Sequence, residues 1–110
     1  MPNHYVFIES RDPFESPDTA FVADTAGALR QRGHPVTVFL VQNGVLATRA
    51  GARGSHLPGL SRSGVNVLAD DFSLRERGIE GGEMSAGIRP VPIDALVDLL
   101  IQPGTKAVWH

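Results

Sequence analysis

The chain has 110 residues, 42% of them hydrophobic, with 12 acids against 10 bases and a net charge of −2. That size and apolar content suit one domain spanning residues 1–110 with a core of its own, and the charge balance gives no basic field for nucleic acid or an anionic membrane. There is no cysteine, which excludes disulfides, thiolate nucleophiles, persulfide chemistry and Cys-ligated metals.

The apolar stretches fall short of a membrane span. The opening "MPNHYVFIES" has no basic region followed by an apolar one, so no signal peptide is expected and the default location is the cytoplasm.

In chain order, "HYVFIES" (4–10) is rich in β-branched and aromatic residues and suits a strand. "SPDTAFVADTAGALRQRG" (16–33) carries helix signals at both ends. Ser16 can cap, Pro17 suits the first helical position, Asp18 complements the dipole and Gly33 can end the helix. Phe21, Val22, Ala26 and Leu29 fall on one face at helical spacing. "HPVTVFLVQNG" (34–44) is a nearly continuous apolar run, as in a central strand covered on both faces.

A short helix is expected near 45–50, then a Gly-rich turn and a helical piece over 57–62. Residues 65–69 read as a third buried strand, and 72–77 as a short helix ended by Gly78. The stretch 78–90 has too many glycines for a long helix and reads as a loop. A helix over 92–101 places Ile93, Leu96, Val97 and Leu100 inward, and Pro103-Gly104 stops it. "TKAVWH" (105–110) closes the chain as a strand. Strands alternating with helices predict an α/β fold: a single-domain three-layer α/β/α sandwich with a mainly parallel sheet and right-handed crossovers.

In open α/β sheets the binding crevice lies beyond the carboxyl ends of the strands. Ser10-Arg11-Asp12, Gln42-Asn43-Gly44, Asp70-Asp71 and the last residues of the fourth predicted strand all converge there. Asp70 and Asp71 have two readings. One is helix capping, since an Asp before Phe72 can accept from free N–H groups. The other is a paired-carboxylate site for acid–base work or Mg²⁺, with Asp12 as a third acid. Gln42-Asn43-Gly44 is either a turn favouring positive φ or a polar pocket wall. "GARGSH" (51–56) lacks the Gly-Lys-Ser/Thr ending of a phosphate-binding loop. His4, His34, His56 and His110 show no metal-ligand spacing, and no serine lies in a nucleophile-elbow context. Neither a metal nor a cofactor is expected.

With these segments in order, the chain resembles the DsrE/DsrF-like (TusD-like, sulfur-relay) family. "DPFESPDTAFVADTAGALRQRGHPVTVFLVQNGV" (12–45) is similar to its opening unit, "GVNVLADDFSLRERGI" (64–79) to its third strand and reactive turn, and "IDALVDLLIQPGTKAVWH" to its last helix and strand. The resemblance implies a DsrE-like fold and, in sulfur-carrying members, a cysteine after the third strand. That position holds Asp70 here, so sulfur carriage by this chain's own thiol is excluded. The family also contains subunits without the cysteine that complete trimeric or hexameric rings. The resemblance thus implies a homo-oligomer or paralogous DsrE-like partners, and it puts Asn43, Glu83 and Met84 near the reactive turn or a subunit contact. The exposed-looking apolar end Val108-Trp109 adds an interface candidate. Two functions follow: a non-catalytic assembling subunit or binding module, or a small-molecule site using Asp70 and Asp71.

Overall fold

The computed structural model describes residues 3–110. Five strands form one all-parallel sheet: β1 (His4–Glu9), β2 (Val36–Leu40), β3 (Asn66–Asp70), β4 (Ile88–Val91) and β5 (Thr105–Trp109), in the order β4-β3-β2-β1-β5. Four helices connect them: α1 (Thr19–Gln31), α2 (Leu57–Arg62), α3 (Asp71–Glu76) and α4 (Asp94–Leu100). The predicted α/β sandwich is thus the observed architecture.

The sheet is central because its middle strands are apolar on both faces. All five residues of β2, "VTVFL", are buried. Period-two alternation sends Val36, Val38 and Leu40 to one face and Phe39 to the other. The first face is covered by α1 and α2, with Val22, Ala26, Leu57 and Leu60 packed onto the strands. The opposite face carries Val6, Ile8, Phe39 and Leu68 under Leu96 of α4.

Several elements depart from the sequence reading. The stretch 78–90 is not only a loop: Gly81–Glu83 form a 3-10 turn and β4 begins at Ile88. Arg89 and Pro90 break the apolar pattern there. A proline is tolerated because β4 is an edge strand that pairs only with β3. The expected helix near 45–50 is a 3-10 helix over Gln42–Thr48.

At the start of α1, Ser16 accepts the Thr19 N–H through its backbone carbonyl, and Asp18, the residue before the helix, makes no side-chain cap. Phe21 points outward and is 73% exposed, because the face that meets the sheet is set by Val22, Ala23 and Ala26. Gly33 does end the helix, at φ 89°, with the Gly33 and His34 N–H groups closing on Arg30 and Leu29 carbonyls.

In α4 only Leu96 of the four predicted inward residues is buried. Ala95, Leu96 and Leu99 meet the sheet, whereas Ile93, Val97, Leu100 and Ile101 lie exposed. The segment is apolar on two faces and the sheet takes only one of them. A seven-residue helix is roughly 10 Å long. Five strands span roughly 19 Å between the edge axes. One short helix therefore leaves this face partly uncovered.

Candidate functional site

The site forms where three turns leave the carboxyl edge of the sheet. Asp70 ends β3 and, by alternation with Leu68, lies on the α4 face. It also caps α3: its Oδ2 accepts the Ser73 N–H at 3.1 Å and the Ser73 hydroxyl at 2.7 Å. The Ser73 hydroxyl in turn accepts the Gln42 N–H at 2.9 Å. Gln42 turns the chain out of β2 at φ 51°, which only this residue among the described non-glycines adopts. That conformation is uncommon for a side chain of its size and is held here by the bond to Ser73.

A second set of bonds locks the same turns. Arg77 donates from Nε and Nη2 to Asn43 Oδ1, at 3.1 and 2.9 Å, and from Nη1 to the Ser73 carbonyl at 3.3 Å. Asn43 Nδ2 donates to Glu15 Oε1 at 3.3 Å. The turn after β2 is thus bound to α3 on one side and to the loop after β1 on the other.

These groups border a cleft of about 590 Å³, within the size range of small-ligand pockets. Its polar wall includes Ser10, Gln42, Asn43, Asp70, Ser73 and Arg77, and its apolar wall Phe72, Ile93, Leu96 and Trp109. Asp70 is 6% exposed, and its second oxygen, Oδ1, is buried without a hydrogen-bond partner.

The sequence candidates separate into those that share this cleft and those that do not. Gln42, Asn43, Asp70 and Trp109 share it. Asp71 turns outward on α3, where its Oδ1 lies 3.4 Å from Arg75 Nη1 in an exposed pair one helical turn apart. Such a pair contributes about 0.3–0.5 kcal/mol. Asp12 is buried, but its Oδ1 accepts the Phe14 and Glu15 N–H groups at 2.6 and 3.3 Å, which closes its own turn. Gly44 is needed for close approach rather than positive φ: a Cβ there would collide with the Glu9 carbonyl oxygen. Glu83 accepts the Glu80 N–H at 3.0 Å in a capping box. Met84 packs against the larger core and bridges to Arg49. Among the described residues no group of three or more His, Asp or Glu gathers as metal ligands do.

Sequence reasoning missed Glu9 and His110. Glu9 ends β1 on the α1 face with a buried side chain, and His110 Nδ1 lies 2.9 and 2.8 Å from its two oxygens. The Ser10 hydroxyl also donates to the His110 carbonyl oxygen at 2.8 Å. The available signal was an acid closing an otherwise apolar strand. Nothing local pointed to its partner 101 positions away. Ser73 and Arg77 were missed as well. The capping bond itself comes from the Ser73 backbone N–H, which any residue there supplies, so the serine left no signal in the local pattern.

No family model matches the chain, and no curated protein matches it. Among solved structures, the ychN protein from E. coli is similar with a TM-score of 0.86 at 18% identity, over 100% of both chains. MTH1491 from Methanobacterium thermoautotrophicum, a protein of unknown function, is similar with a TM-score of 0.84 at 18% identity. That match covers 98% of this chain and 99% of the other. At that identity the likeness is one of fold. Among the described residues no helix is long and apolar enough to cross a membrane.

Proposed function

We propose that this chain is a cysteine-less DsrE-like subunit that works by assembling with copies of itself rather than by carrying sulfur. The observation that carries the reading is the second apolar face of α4. Ile93, Val97, Leu100 and Ile101 are exposed there, and Trp109, beside Ile8 in the register, is exposed on the same face of the edge strand β5. A soluble helix normally turns a single apolar stripe to its core, and exposed apolar surface beyond that stripe marks a contact surface.

A second copy is the occupant that fits. The same face of the sheet carries exposed charges of both signs, Asp94 and Asp98 on α4 and Arg89 on β4 beside Leu68, and a two-fold contact matches a surface to itself. Asp70, at the family's cysteine position by resemblance, caps α3, so the turn keeps its shape without a thiol.

Native mass spectrometry and light scattering of the purified protein test the reading. An oligomer at micromolar concentration is expected, with Val97→Lys reducing it to a monomer. A monomeric parent chain overturns the proposal.

A further inference from the structure

The two edges of the sheet end differently. β4 carries Pro90, a residue without an N–H that blunts an edge against further pairing. β5 has no proline, and Lys106 to Trp109 are all exposed. Its inner side is fully engaged. The His110 N–H donates to the Ile8 carbonyl at 2.9 Å, and the carbonyls of His110 and Gly104 accept the Ser10 and His4 N–H groups at 2.8 and 3.1 Å. The even-numbered residues thus face β1. Successive residues of a strand turn their N–H and C=O to opposite edges, so Thr105, Ala107 and Trp109 face outward. The Thr105 N–H is taken by the Gln102 carbonyl at 3.3 Å. The Thr105 carbonyl and both backbone groups of Ala107 and Trp109 meet no described strand.

We infer that this edge of β5 pairs antiparallel with the same edge of a second copy, about a two-fold axis at Ala107, so that two sheets become one. The pairing rests on the assembly reading and gives that assembly its contact. Ala107 then lies opposite its own counterpart and Trp109 opposite Thr105 of the second copy, and the N–H groups of Ala107 and Trp109 each find a free carbonyl. Lys106 stands opposite Val108. An axis at Lys106 would instead set two like charges face to face, which destabilises a cross-strand pair.

The side chains select the same register. The Thr105 hydroxyl donates to the Leu99 carbonyl at 2.9 Å, which holds the last turn of α4 over the start of β5. Trp109 is on the α4 face, beside Ile8. An axis at Ala107 carries Trp109 of each copy to the end of α4 in the other, where Leu100 and Ile101 are exposed. An axis at Val108 would set Trp109 against Ala107 and leave that helix end open. One contact thus covers Ile101 and Trp109, 74% and 65% exposed, together with the free backbone of β5.

Because the chain has no cysteine, Ala107→Cys gives it a single thiol. In a pair that exchanges both backbone bonds the Cα atoms lie roughly 5.5 Å apart, inside the roughly 4.4–6.8 Å that a disulfide spans. With oxidised glutathione, the Ala107→Cys chain is expected to form a covalent dimer about tenfold faster or more than Asp24→Cys, at an exposed position of α1, because pairing holds the two thiols together. Ala107→Pro removes an outward N–H and no bond to β1. It is expected to keep the fold by circular dichroism and to lose the dimer contact in native mass spectrometry.

If the parent chain is oligomeric and Ala107→Cys cross-links no faster than Asp24→Cys, the edge pairing is overturned and the assembly reading stands. A folded Ala107→Pro chain that keeps the parent's assembly state has the same consequence. A monomeric parent overturns both readings. If Ala107→Pro does not fold, the cross-link alone decides.

Discussion

The two faces of the sheet are built from the same strands and finished differently. On the α1 side, seventeen buried residues among those described form one cluster with α1, α2, Leu74 of α3 and the turns beside them. On the α4 side, six do so beneath one short helix. The strand residues on the second face are no less apolar: Val6 and Phe39 are fully buried there. The difference lies in the cover. A chain that supplies a face with apolar strands and an apolar helix, yet too little helix to close it, leaves apolar surface open on that side.

The comparison breaks most visibly if the well-covered side tolerates truncation. Leu60→Ala in α2 removes a buried side chain from the larger cluster and is expected to cost about 2–5 kcal/mol in urea unfolding. A loss near zero would show that the α1 face is as loosely finished as the other. Gly44→Ala comes next, because its Cβ would press on the Glu9 carbonyl where the turn after β2 passes β1. A loss of about 1–3 kcal/mol or more is expected from the forced backbone shift, and an unperturbed midpoint would mean that this edge is free to move.

Asp70→Ala removes the cap of α3 and is expected to cost about 1 kcal/mol, with Asp70→Asn close to neutral. Equal losses in the two variants would point to the charge rather than the cap. The smallest change in monomer stability, within about 0.5 kcal/mol, is expected for Val97→Lys, which is 51% exposed. Its effect is expected in assembly instead. A large loss of stability without loss of assembly would mean that Val97 already belongs to a closed core.

Where periodicity was strong, the sequence could be read closely. The apolar run around β2, the helix over 57–62 and the glycine end of α1 all sit where local pattern and chain-termination chemistry place them. The edge strand β4 escaped because Arg89-Pro90 is a sequence that only an unpaired edge can accommodate, and being an edge is not a local property. Phe21 and the outer stripe of α4 were placed inward because a hydrophobic pattern marks a face without saying whether anything covers it.

The candidate site was legible in position and not in chemistry. Asp70, Gln42 and Asn43 were found from the rule that crevices form at the carboxyl ends of parallel strands. Asp70 and Asp71 looked like a pair because they are adjacent. One ends a strand facing the sheet's inner layer and the other begins a helix facing solvent, so adjacent residues diverge.

By itself, the sequence determined the α/β class, the parallel order of strands and helices, and the absence of thiol chemistry, because these depend on composition and on short-range periodicity. Tertiary structure alone decided which apolar faces are covered and which oxygen of Asp70 is left without a donor. It also decided that Arg77 turns to Asn43, and that Glu9 meets His110. Those outcomes depend on groups tens of residues apart arriving at one edge of one sheet, and no local stretch of chain carries that information.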